Sequence, residues 1–344
     1  MSFMMREILD QPRALQRCYE AERQHAVKLK NFAAGQNFRL ILLVARGTSD
    51  NAALFGRYLL ELTTGIPVSL CAPSVHTLYH AKLDLRKALV IGISQSGEGT
   101  DINAVLKSAR KQGAFTIGIT NEAKSTMAGI VDDAFFVRAG TQRSVAATKT
   151  YTGQLLMLYM LAAALGKHIT LERVGEIPKW VGDSLKIIPE IQQIVERYRF
   201  MRQCVVVARG LNYANAFELS LKLMETCYVV AERFSAADFL HGPIAMIESD
   251  FPVILFVPPG KTYHDMKKLA ERVRKLRAEN LIISAEGVRL PAHSTAIRVP
   301  ASIPEVYTPI PYIVPGQLFA CLLAELKGID PDKPRSLKIV TRTL

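Results

Sequence analysis

The feature that most constrains this chain is an internal repeat. Val44-Ala-Arg-Gly47 recurs as Val207-Ala-Arg-Gly210, 163 positions later. At the same ungapped offset Val90-Ile91 meets Val253-Ile254, and Gly97 meets Gly260. Ala134–Val137 meets Ile297–Pro300, and Gly153-Gln154-Leu155 meets Gly316-Gln317-Leu318. Chance could supply one such match but not five at one offset, so the chain reads as two copies of one domain. They are expected at 37–165 and 198–330. A helical segment (1–36) comes first, a polar helical connector (166–197) lies between, and a tail (331–344) follows.

Within each copy, short apolar runs alternate with amphipathic stretches. Leu40–Ala45, Val68–Cys71, Ala88–Ile93, Phe115–Ile119 and Ala134–Val137 read as strands. Asn51–Leu62, Ile102–Lys111 and Thr150–Leu165 read as helices. Strands of continuous apolar character, separated by helices, predict a parallel sheet covered on both faces. The fold class is therefore α/β, with two doubly wound parallel sheets in tandem.

Composition narrows the partners. Forty-three Lys and Arg against 31 Asp and Glu give a formal charge of +12, which favours anions. The basic residues are spread along the chain. The one cluster, Lys267-Lys268 and Arg272–Arg277, alternates with apolar residues at helical spacing and reads as a solvated helix face. No RNA-recognition pattern accompanies it, and charge alone leaves nucleic acid and a phosphorylated small molecule both open; the motifs below and the resemblance they carry favour a sugar phosphate and no nucleic acid. The longest apolar stretch reads as Leu155–Leu165, too short to span a bilayer, and the N-terminus lacks a signal-peptide pattern. Five scattered cysteines, odd in number and without Cys-x-x-Cys, suggest neither a disulfide framework nor zinc. A cytoplasmic protein with no membrane partner, metal or cofactor is expected.

The two copies differ where chemistry is expected. After Val90–Ile93 the first reads Ser94-Gln-Ser-Gly-Glu-Gly-Thr100; the second reads Val257-Pro-Pro-Gly-Lys-Thr262. A strand end followed by a helix N-terminus is a natural anion site, and Ser94, Gln95 and Ser96 offer donors for a phosphate monoester. The plain alternative is a polar turn with Thr100 or Asp101 as helix cap. Val257 has no side-chain donor and Pro259 no backbone N–H, and Lys261 beside them is a point charge of little geometric selection, so one sugar phosphate per chain is expected, in the first loop. Arg46-Gly-Thr48-Ser49 also lies between strand and helix. Its hydroxyls suit sugar or phosphate oxygens, or else Ser49 or Asp50 caps the helix. Val145-Ala-Ala147-Thr-Lys149 is a candidate third wall.

Glu218, Lys222 and Glu225 stand at i, i+4 and i+7 on the helix Ala214–Cys227. They form either a surface ion ladder or, because leucines crowd them, a partly buried group suited to moving a proton beside a carbonyl. His241 precedes Gly242-Pro243; an imidazole can both give and take a proton, which suits ring opening of a sugar, and the alternative is a histidine packed beside a turn.

Together these residues resemble the tandem sugar-isomerase (SIS) domain proteins. In particular they resemble the isomerase half of glucosamine-6-phosphate synthase and its free-standing relatives, glucosamine-6-phosphate deaminases and phosphosugar isomerases. It rests on Arg46–Ser49, Ser94–Glu98, Ser144–Lys149, Glu218–Glu225, Ala231-Glu232, Leu240–Pro243 and Pro334–Leu337. The resemblance implies flavodoxin-like halves and no metal. It implies that Ser94–Ser96 grip the sugar phosphate, that Glu225 moves a proton between C1 and C2, and that Lys222 assists. It also implies that His241 opens the ring from the neighbouring subunit of a homodimer.

Three positions depart from the family pattern. Gly99 stands where the loop threonine is usual, with Thr100 next. Gly140-Thr-Gln142 replaces Gly-Pro-Glu. Ile339 holds the place of the tail lysine, with Lys338 beside it. Only about 36 residues precede the first copy and Cys18 is the sole cysteine among them, so glutamine-dependent synthesis is not expected of these residues. The expected reaction is conversion of glucosamine 6-phosphate to fructose 6-phosphate and ammonia. The alternatives are another aldose–ketose isomerase or deglycase, or a non-catalytic phosphosugar sensor.

Overall fold

A computed structural model describes residues 1–299 and 303–337. The chain divides into two compact units. One comprises Arg13–Gln142 and Lys149–Glu176. The other comprises Met1–Pro12, Arg143–Thr148 and Ile177–Ser336. The first helix, α1 (Phe3–Ala33), contributes to both units and carries Pro12 in its interior.

The first unit runs β1 (Leu40–Val44), α2 (Thr48–Thr64), β2 (Val68–Leu70), α3 (Pro73–Thr77), β3 (Ala88–Ile93) and α4 (Thr100–Lys111). It continues with β4 (Phe115–Thr120), α5 (Thr126–Ile130), β5 (Asp133–Phe136), α6 (Lys149–Leu165) and α7 (Leu171–Val174). Its five strands are all parallel, in the order β2-β1-β3-β4-β5. Parallel strands are joined by crossover helices and so are covered on both faces. That is why β3 is buried at every residue. Val44, Val90, Val105, Leu106 and Met127 form part of the core on one side of the sheet.

The second unit repeats the plan. After α8 (Ile177–Ser184) and α9 (Ile188–Val195) come β6 (Gln203–Ala208), α10 (Tyr213–Cys227), β7 (Val230–Ser235), α11 (Ala236–Leu240) and β8 (Pro252–Val257). Then follow α12 (Tyr263–Lys275), β9 (Glu279–Ala285), β10 (Thr295–Val299) and α13 (Pro309–Leu326). The order is β10-β9-β8-β6-β7, again all parallel. Read from the other edge it is the same 2-1-3-4-5 order, which is that of flavodoxin-like sheets.

The helices α6 and α13 close the two copies at equivalent places. Each is apolar on all sides and almost wholly buried, as a core helix must be. This corrects the expectation that Leu155–Leu165 is the longest apolar stretch. Pro309–Leu326 is longer, with a mean hydropathy of 1.3, and by length and composition it could cross a membrane. In the fold 83% of it is buried inside the protein. Each of these helices carries one buried glutamine. Gln154 donates to Ser49 Oγ at 2.9 Å, and Gln317 Oε1 accepts from Gln11 at 3.0 Å.

Candidate active site

The sheet order reverses between β1 and β3, and ligands of such folds sit at that reversal, beyond the carboxyl ends of the strands. Val44 pairs with Gly92, so the segment Arg46–Thr48 and the serine loop leave neighbouring strands at that place. The loop is held rigid by its own polar groups. Ser94 Oγ accepts from Gly97 N at 3.1 Å and Ser96 Oγ accepts from Glu98 N at 3.2 Å. A hydroxyl that accepts an N–H keeps its own O–H to give away, so both serines remain donors toward a ligand. Gly97 carbonyl oxygen accepts from Met127 N and from Asn103 Nδ2, each at 3.0 Å. Glu98 accepts from Thr126 N at 2.8 Å and Thr126 Oγ1 at 2.7 Å. Gly97 has φ +65°, and a Cβ there would run into Ser125, so no other residue fits without displacement.

Neither helix is capped as the simpler reading expected. The N-cap of α4 is Gly99 and that of α2 is Gly47, each without a side-chain cap bond. Thr100 begins α4 and is exposed, and Thr48 begins α2 half-buried. Gln95 and Ser96 are half-buried, whereas Ser94 is buried. Ser49 is buried too, and its hydroxyl holds Gln154, which gives it a packing task. Asp101 in turn binds Arg46 Nε at 2.7 Å. The same pairing recurs in the other copy as Arg209 Nε to Asp265 at 3.2 Å. A pair kept in both copies reads as framework, tying the first strand's end to the helix after the third.

The carboxylate group lies in the other unit, on α10. It is no surface ladder. Glu218 is 0% exposed, Lys222 1% and Glu225 20%. Lys222 Nζ lies 2.6 Å from Glu225 Oε2 and 3.5 Å from Glu218 Oε1. Burial acts most strongly on Lys222 and favours proton loss, but the charges of Glu218 and Glu225 and their hydrogen bonds more than offset it, so the ammonium is held above its ordinary range. The result is one cation gripped by two carboxylates, of which only Glu225 reaches the surface. His241 follows α11 and is exposed, beside the exposed Leu240 and Met246; it is not packed beside its turn. Val145 and Ala147 are half-buried and belong to the same unit as α10. Lys338 lies outside the described residues. Among the described residues, no group of three or more His, Cys, Asp or Glu could hold a metal ion.

The second loop departs from expectation. Val257 has no side-chain donor and Pro259 no backbone N–H, but the backbone N–H groups of Lys261 and Thr262 are present and both are taken by the Glu305 carboxylate. Thr262 Oγ1 donates to the same carboxylate at 2.6 Å. Glu305 escaped the sequence reading because it lies 44 residues from the loop.

A family model for the SIS domain matches residues 37–164 and 200–324. This chain belongs to the SIS domain family. It is 38% identical over 343 residues to glutamine–fructose-6-phosphate aminotransferase [isomerizing] of Pyrococcus horikoshii, a match covering 97% of this chain and 56% of that protein. The chain thus spans just over half the length of the curated relatives it matches. Among solved structures it resembles the C-terminal domain of glucosamine-fructose-6-phosphate aminotransferase from Francisella tularensis. There the TM-score is 0.87 at 27% identity, over 97% of this chain and 98% of that one. Glucosamine-6-phosphate deaminase from Thermotoga maritima shares the fold, with a TM-score of 0.81 at 23% identity over 99% and 100% of the two chains. The two SIS segments coincide with the two parallel sheets, one bearing the serine loop and the other the Glu218-Lys222-Glu225 group.

Proposed function

We propose that this SIS protein is a phosphosugar isomerase that releases ammonia from a hexosamine phosphate, with glucosamine 6-phosphate as substrate. The observation that carries the reading is Lys222 pinned between a fully buried Glu218 and a partly exposed Glu225. A carboxylate at the surface with a fixed cation behind it is suited to removing a proton beside a carbonyl. The likeness to the isomerase half of an aminotransferase that handles fructose 6-phosphate supports the same substrate class.

In this reading the rigid serine loop holds the phosphate through Ser94, Gln95 and Ser96. Thr48, Thr100, Val145 and Ala147 complete the substrate contacts, and Ser49 backs them from the core. His241 moves the proton that opens the ring to the free aldehyde. Glu225 takes the proton from C2 and returns it to C1, which leaves an imine at C2. Water adds to that imine, and ammonia and fructose 6-phosphate leave. Lys222 keeps Glu225 oriented, and Lys338 is the tail's amine for the carbonyl oxygen.

His241 is exposed amid apolar neighbours, which suits donation to a second copy, and we propose a homodimer with shared sites. Mixing inactive His241→Ala and Glu225→Gln subunits is then expected to restore part of the activity. No recovery after verified subunit exchange contradicts the sharing. The substrate is tested by ammonia release from glucosamine 6-phosphate, with galactosamine 6-phosphate and N-acetylglucosamine 6-phosphate as controls. Release from the first supports the reading. Ketose formation from a neutral hexose phosphate without ammonia makes the protein a simple isomerase. Binding without turnover of any of them makes it a sensor.

A further inference from the structure

The second copy places three segments at its sheet reversal: after its first strand, after its third strand, and before its last helix. In the second copy these segments hold one another. Asn212, which the repeat aligns with Ser49, donates to Thr308 Oγ1 at 2.8 Å. Asn215 donates to the carbonyl oxygen of Pro309 at 2.9 Å. Glu305 crosses from the third segment to the second and receives Lys261 N, Thr262 N and Thr262 Oγ1. Two backbone N–H groups and a hydroxyl converging on a carboxylate, just ahead of a 13-residue helix, form the arrangement that binds an oxyanion. Gly260 at φ +131° completes it, because a Cβ there would collide with Glu305.

We propose that the second copy retains an oxyanion cradle and that Glu305 is its resident occupant, so that removing this carboxylate opens a second site for a phosphate-class anion. The carboxylate is an internal stand-in for the phosphate that the first copy is read to bind. That comparison rests on the reading of the serine loop, but the cradle and its occupant stand without it. Glu305 is only partly buried and Lys261 is exposed, so an external anion has a path to the loop. The fixed occupant explains how one SIS copy can keep the fold of a binding domain while leaving phosphate binding to the other.

The test uses the full chain carrying Ser94→Ala and Ser96→Ala, which takes the first loop out of the count. Equilibrium dialysis with inorganic phosphate, at ionic strength held constant with chloride, compares this background with the same background plus Glu305→Ala or Glu305→Gln. The proposal expects one more phosphate bound per chain with Glu305→Ala, and slowed hydrogen exchange at Lys261 and Thr262 when phosphate is present. Glu305→Gln keeps the shape of the plug and guards against a folding defect. Its neutral amide is a weaker acceptor, and phosphate is expected to displace it and protect the same two amides. Folded variants that bind no more phosphate than the background, with no change at these amides, overturn the proposal. A background that still binds phosphate counts against the serine loop as the first site and leaves the difference between variants readable.

Discussion

Lys222 keeps its proton with 1% of its side chain exposed because Glu218 and Glu225 lie on either side of it along one face of α10. Removing the cation takes from Glu218, which is 0% exposed, the counter-charge that Lys222 supplies. Lys222→Met is therefore expected to cost about 3–5 kcal/mol in chemical denaturation, the usual penalty for breaking a buried pair from one side. A cost under 1 kcal/mol would mean that the ladder is solvated after all. Glu225→Gln separates chemistry from stability, because the amide keeps the shape and the side chain reaches solvent. It is expected to bind sugar phosphate as the parent does and to turn over about 10²–10⁴-fold more slowly. An unchanged rate removes Glu225 from the reaction. The spacing of 218, 222 and 225 was legible as a shared face, but the depth of burial was not. That depth comes from the packing of α10 against α13, far along the chain, and against β6 and β7.

At the scale of elements, α1 is fixed to the edge of the first sheet by an ionic cluster. His25 stacks on Phe135 with ring centroids 4.1 Å apart. His25 Nε2 meets Asp133 at 2.7 Å, His25 Nδ1 meets Glu22 at 3.1 Å, and Glu22 also binds Arg138 at 2.7 Å. The hydrogen bonds to Asp133 and Glu22 raise the His25 pKa from 6.5 to about 9. A group that binds its proton more tightly when folded stabilises the fold fully below its unfolded pKa, and loses that effect as pH rises through its folded pKa. The contribution of His25 is thus complete below pH 6.5 and fades through about pH 9. The melting temperature of the parent is expected to exceed that of His25→Gln at pH 6, with the gap narrowing toward pH 10. A gap that is flat or widens with pH contradicts the cluster. The strands and long helices were legible in the sequence because double burial makes parallel strands continuously apolar. The short α3 and α5 were not, since five residues cannot carry a helical period. Nor were the glycine N-caps of α2 and α4, because Ser49, Asp50, Thr100 and Asp101 each have the composition of a cap.

For the whole molecule, the repeat made the two-sheet plan readable, and the residue differences between copies pointed to a division of labour. One copy carries the serine loop. The other carries the Glu218-Lys222-Glu225 group and fills its own loop with Glu305. What the sequence did not reveal is that the second loop is filled, because a carboxylate 44 residues away supplies the occupant. In the proposed reaction Glu225 moves a proton from C2 to C1 of a phosphosugar. Proton NMR of glucosamine 6-phosphate in D₂O tests it most directly. With the parent protein, the C2 proton signal is expected to disappear as fructose 6-phosphate and ammonium accumulate, and with Glu225→Gln it is expected to persist. A C2 signal that remains intact in the presence of parent protein with bound sugar phosphate would contradict the account.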